Sequence, residues 1–95
     1  MIVRIVRMSF QLEKVHEFID FFNEKKQFIR NFPGCHHVDL LEDVRNPGYL
    51  STYSHWESED ALEAYRHSEL FKEVWAQTKT YFRNKPSAHS YIIKA

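Results

Sequence analysis

Residues 2 to 9, IVRIVRMS, constrain the fold more than any other stretch of the chain. The run is short and β-branched, and both of its alternate sets carry apolar groups. Ile2, Val6 and Met8 fall on one set, Val3 and Ile5 on the other. A strand of this kind is expected to be covered on both faces, because period-two alternation would otherwise leave one apolar row in water. The chain must therefore supply one cover itself and obtain the second elsewhere.

Its own cover follows directly. Gln11 to Asn31 reads as helix, with Leu12, Val15, Phe18, Ile19, Phe22 and Ile29 at spacings of three and four, and Phe21 and Phe28 widening that stripe. Phe32, Pro33 and Gly34 stop it, since Pro cannot continue the hydrogen-bond ladder and Gly accepts the φ values of a turn. Cys35 to Val44 is predicted as a second strand, alternating Val38 and Leu40 against Cys35, His37, Asp39 and Leu41. Arg45 to Gly48, RNPG, is turn chemistry, and Tyr49 to Trp56 forms the far arm of the hairpin.

Ser58 is suited to cap a short helix reaching about Arg66, with Glu59 and Asp60 in the first turn where the helix dipole favours carboxylates. Ser68 repeats the device. Leu70, Phe71, Val74, Trp75, Thr78 and Phe82 then share one face of a longer helix, Pro86 ends the helical region, and Ala88 to Lys94 is the last predicted strand. The order is that of a ferredoxin-like βαββαβ α+β domain with its second helical region split in two. Helices cover one sheet face in that layout, so the doubly apolar first strand points to a second copy on the other.

At 95 residues the chain has room for one domain, 1–95. Lys plus Arg equals Asp plus Glu, so no basic field exists to attract phosphate backbones or anionic lipid, and neither nucleic acid nor membrane is an expected partner. The lone Cys35 cannot make an internal disulfide, and no apolar run approaches the ~20 residues of a membrane span or follows a signal-peptide pattern. A soluble cytoplasmic protein is expected. Eight Phe are a heavy load for this length, and part of that aromatic surface calls for a partner subunit or a ligand.

Six His invite a metal, but their spacing argues against one. His36 and His37 are strand neighbours expected on opposite faces, and no helical pair has the i, i+4 pattern of a preformed zinc site with both groups facing the same way. There is no GxSxG elbow and no Gly-rich phosphate loop. Neither metal nor cofactor is expected. Polar strand residues remain: Tyr53 and His55 on one register, Thr52, Ser54 and Trp56 on the other, with Arg4, His37, Asp39, His89 and Tyr91 on neighbouring strands. They suit either a few orienting groups in an apolar pocket or satisfied hydrogen bonds at a dimer interface. Only His supplies a base near neutral pH unaided, which makes His55 and His37 the chemically capable members. Tyr65, Phe71 and Trp75 on the helices fit a packed core, and equally a wall on which a flat aromatic molecule could stack.

FPGC at Phe32 to Cys35, and YSHWESEDALEAYRHSELFKEVW at Tyr53 to Trp75, resemble the antibiotic biosynthesis monooxygenase domain family over nearly the whole chain. The shared features are a PG turn into the second strand, a W-E-S-x-x-A-L step from third strand to helix, and an S-x-x-F helix start. The resemblance implies a ferredoxin-like subunit that pairs sheet to sheet as a dimeric α/β barrel, with ligands bound between sheet and helices. Members include cofactor-independent monooxygenases that convert polyketide phenols to quinones, and haem-degrading enzymes. Trp56 matches the Trp of the quinone-forming members, whereas their Asn, Tyr and Arg fall on Thr52, Leu62 and the neighbourhood of Lys72. The haem-degrading set is also absent: the first strand has no Asn, and Tyr65 and Trp75 stand at the places of its Trp and His.

Two functions follow as expectations. One is a cofactor-free monooxygenase on a small phenol or hydroquinone, with His55 or His37 as base, Tyr65 or Tyr53 as donor, and Trp56, Phe71 and Trp75 as walls. The other is a non-catalytic dimeric module that binds an aromatic metabolite. A dimer with a filled core and no small ligand is the third outcome.

Overall fold

The computed structural model describes residues 1–95. Four strands, β1 (Ile2–Phe10), β2 (Cys35–Glu42), β3 (Tyr49–Trp56) and β4 (Phe82–Ile92), form one antiparallel sheet in the order β2-β3-β1-β4. Helix α1 (Val15–Arg30) follows a 3-10 turn at Leu12–Lys14 and joins β1 to β2; α2 (Glu59–Arg66) and α3 (Glu69–Lys79) join β3 to β4. This is the ferredoxin-like βαββαβ arrangement, with the second helical region split as the two Ser caps require. Ser58 Oγ accepts from Ala61 N at 3.1 Å, and Ser68 Oγ accepts from Phe71 N at 3.1 Å. No helix is long and apolar enough to cross a membrane.

The core lies between the sheet and the helices. Trp56, Phe10, Phe18, Met8 and Leu50 are its largest sealed side chains, and Phe10 stacks on Phe18 with centroids 4.3 Å apart, fixing α1 on β1. On the other face Ile5 is half-buried and Leu41 and Tyr91 are exposed.

Three expectations are corrected. Helix α3 stops at Lys79 and β4 begins at Phe82, well before Ala88, so Pro86 lies inside a strand rather than ahead of it. β4 is an edge strand whose register with β1 shifts between Arg7 and Phe10, and an edge with bulges tolerates a residue that lacks an N–H. Strand β2 ends at Glu42 because Asp43 begins the turn, its Oδ1 accepting from Arg45 N at 2.9 Å and Asn46 N at 3.0 Å. Cys35 and His37 do not share a face: a register shift between them pairs Cys35 with Trp56 and His37 with His55, which buries the thiol and leaves the imidazole outside.

Gly34 ties the β2 entry to α2. Its φ is +87°, and a Cβ placed there would sit 2.5 Å from Ala61 Cβ, while its carbonyl accepts from Glu57 N at 2.8 Å. Gly34→Ala is expected to cost ~1–3 kcal/mol through backbone strain, and more if α2 must move; urea unfolding should show the midpoint fall. The Asp43 carboxyl is held below its ordinary 3.8, first by the Arg45 N–H and then by Asn46. Its contribution is therefore fully present above about pH 3.8 and lost as pH falls through the lower folded value. Acid titration of Asp43→Asn should show a shallower loss of stability below that pH than wild type.

Candidate active site

Strand alternation assigns each sheet residue to one of two surfaces. Arg4, Val6 and Met8 on β1, and Thr52, Ser54 and Trp56 on β3, face the helices and line a cavity of about 280 Å³. The helices contribute its opposite side. Leu62, Tyr65 and Arg66 reach it together from α2, as the i, i+3, i+4 spacing dictates, and Phe71, Trp75 and Thr78 reach it from α3. The aromatic residues pack on the core cluster and leave this space open beside them, between sheet and helices.

Its walls are a continuous aromatic run. Tyr65 stacks on Trp56 at 4.8 Å with 26° between planes, Phe71 meets Tyr65 edge-on at 5.2 Å, and Trp75 lies nearly parallel to Phe71 at 6.0 Å. The Trp56 indole N–H donates to Ser54 Oγ at 2.9 Å, so the ring is buried without an orphan donor. Thr78 Oγ1 is likewise occupied, donating to the Val74 carbonyl at 2.7 Å. Burial pushes the Tyr65 phenol well above its ordinary range, with the nearby Cys35 thiol adding to the shift. Tyr65 is therefore a proton donor near neutral pH and not a base.

The charged groups at the cavity are guanidiniums. Arg4 Nη1 donates to Ser90 Oγ at 3.0 Å, and Arg66 Nη1 pairs with Glu63 Oε1 at 2.7 Å. Burial lowers the Arg4 pKa, the approach of Arg66 lowers it further, and Glu63 opposes the change. No Asp, Glu or His lines the space.

The sequence-predicted site residues divide between the two surfaces. Trp56, Tyr65, Phe71 and Trp75 come together around the cavity. Tyr53, His55 and His37 lie on the opposite face of the sheet, because residue 55 must point away from residue 56. The expected convergence of an imidazole with the aromatic walls is thus corrected. On that outer face the three form their own cluster: His55 Nε2 and Tyr53 Oη are 2.7 Å apart, the His37 and His55 rings 5.5 Å, and His37 Nε2 meets Asp39 Oδ2 at 2.6 Å. Lys26 Nζ also bonds Asp39, at 3.1 Å, and with His37 holds that carboxyl below the usual range. No group of three or more His, Cys, Asp or Glu side chains is placed to hold a metal ion.

Arg66 was not legible as a site residue from sequence. Its only signal is position: it stands one residue after Tyr65 and four after Leu62 on a short helix, at the exposed edge of the stripe those two bury.

The family model for antibiotic biosynthesis monooxygenases matches residues 1–77. Among solved structures, an antibiotic biosynthesis monooxygenase superposes with a TM-score of 0.91 at 19% identity, covering 100% of each chain. A conserved protein from Methanosarcina mazei Go1 gives a TM-score of 0.91 at 22% identity over 99% of this chain and 94% of its own. A protein from Mycobacterium tuberculosis gives 0.88 at 18% identity, over 99% and 95%. At these identities the likeness is one of fold. A comparison with curated proteins found no match. With the family model spanning β1 through most of α3 and the same architecture recurring in these structures, the chain belongs to the antibiotic biosynthesis monooxygenase family.

Proposed function

We propose that the protein is a cofactor-independent monooxygenase whose cavity binds a small phenol or hydroquinone and lets its electron-rich anion react with dioxygen. The observation that carries this reading is the open, aromatic-walled cavity of about 280 Å³ bounded by Trp56, Tyr65, Phe71 and Trp75. A flat ring stacks on such walls, and a cavity of roughly 150 Å³ already admits benzene in another protein. Tyr65 stays protonated and donates to the substrate oxygen as charge collects there.

The reaction needs no external reductant. A phenol with a free para carbon and one dioxygen give a quinone and one water. A C–O bond forms at that carbon, the O–O bond breaks, and the ring C–H and phenolic O–H protons leave with the second oxygen atom. The ring supplies all four electrons. The cavity offers neither imidazole nor carboxylate, so ionisation rests on the acidity of the bound phenol itself, its proton passing to solvent at the mouth.

Oxygen uptake with small phenols and 1-naphthols whose para carbon is free should be catalysed, and should rise with pH through the substrate's own ionisation. Tyr65→Phe is expected to lower turnover on the order of 100-fold, the usual effect of losing an oxyanion donor. His37→Ala and His55→Ala should keep wild-type turnover. Loss of turnover in either His variant at unchanged sedimentation would move the chemistry to the outer face; an absence of oxygen uptake with ligand binding intact would leave the protein as a binding module for aromatic metabolites.

The same reading includes a second copy of the chain on the open sheet face. Ile5, Leu41, Tyr53 and Tyr91 lie there only partly covered, beside His37, His55 and His89. One of these residues stands on each of the four strands, so a partner laid on this face would cover all of them. Sedimentation at micromolar concentration should give a dimer, and Leu41→Glu should shift it towards monomer; a wild-type monomer would refute the pairing.

A further inference from the structure

The ionisable side chains at the cavity other than Tyr65 are all of one sign. Arg4 and Arg66 line it and no carboxylate does. They differ in how well they are neutralised. Arg66 is paired with Glu63 at 2.7 Å, whereas Arg4 takes part in none of the chain's ion pairs and has a single polar side-chain partner, the Ser90 hydroxyl at 3.0 Å. A guanidinium carries five N–H donors, so Arg4 has most of its fork unused. It is also only partly exposed, and Arg66, its charge paired with Glu63, lines the same cavity from the helical side.

Its placement suits a ligand. Arg4 stands on the inner strand β1, paired in register with Ser54 on one side and Ser90 on the other. Ile2, two residues along, pairs with Trp56. The Trp56 row is therefore roughly 7 Å from the Arg4 row by strand rise, about the span of an aromatic ring with one substituent. Arg66 closes the same end from α2.

We propose that Arg4, supported by Arg66, is the anion-binding residue of the cavity, and that its ligand is an aromatic molecule carrying an anionic oxygen group, a carboxylate or an ionised phenol. The proposal rests on the aromatic-ligand reading given above and adds the charge of the ligand. A planar fork meets a carboxylate through two parallel hydrogen bonds, which gives orientation as well as affinity.

Quenching of Trp56 and Trp75 fluorescence by benzoate and by its neutral isostere benzamide tests this without any turnover. Wild type should prefer benzoate by at least about 10-fold, as a charge-assisted contact implies, and the preference should shrink with added salt. Arg4→Gln should abolish the preference while benzamide still binds, and Arg4→Lys should keep part of it. In a parallel arm, 4-nitrophenol reports its own charge by absorbance: held by Arg4 it should ionise at lower pH when bound to wild type than when bound to Arg4→Gln. A shift in the nitrophenol arm without a benzoate preference assigns the site to ionised phenols, and the reverse assigns it to carboxylates. Equal binding of benzoate and benzamide together with no nitrophenol shift overturns the anion site and leaves the aromatic cavity standing. If no probe binds, both readings fall. Thermal unfolding of each variant guards against misfolding, and the salt dependence of wild type tests the charge without any substitution.

Discussion

The stack of Tyr65 on Trp56 is the contact on which the rest of the site depends. Trp56 is the last residue of β3 and is 1% exposed, and its indole can sit there only because Ser54, two residues back on the same face, accepts its N–H. The stack then sets the height of α2 above the sheet. Two further constraints hold α2 in register with it: the Ser58 cap that starts the helix, and the bare backbone of Gly34 that lets Ala61 approach. The cavity lies beside this stack, between the inner surface of the sheet and the residues that α1, α2 and α3 turn towards it. A core packed only for stability would have closed that space, since interiors tolerate few voids larger than a water molecule.

Alternation along β3 gives one small sheet two unrelated chemistries. On the inner surface an aromatic wall meets two guanidiniums. On the outer surface two imidazoles are hydrogen-bonded, one to a carboxylate and one to a phenol. No movement short of a register slip exchanges them, and a slip would carry Trp56 out of the core along with it. The histidines of β2 and β3 are thus free to serve whatever covers the outer face, independently of the cavity.

Most of the fold could be read from the chain because its signals are local. β3 was legible to the residue, and both helix starts after it follow from Ser caps with carboxylates in the first turn. The misses share a physical origin: they are places where pairing partners, not local chemistry, decide. Pro86 looked like a terminator because nothing in its neighbours says that β4 is an edge, and Cys35 looked like a companion of His37 because a bulge is written in the register of two strands and not in either one. The site divided in the same way. Its aromatic walls were visible as a helical stripe, whereas the presence of Arg4 and Arg66 at one cavity depends on how α2 packs over the sheet, which the sequence does not encode locally.

The pair also bears on the kind of ligand proposed for the cavity. Tyr65 is held in its protonated form and both arginines are cations, so every ionisable side chain lining the space donates hydrogen bonds and none removes a proton. A site of this composition cannot create an anion by general-base catalysis. It can bind one that forms from the ligand's own acidity, or shift a weakly acidic ligand towards its ionised form by stabilising that form. Under the proposed reaction this is selective: a neutral, poorly acidic phenol gains only stacking, while one that ionises readily gains the Arg4 contact and becomes electron-rich enough to meet dioxygen. Discrimination then falls on the substrate's acidity before any step of oxygen chemistry begins.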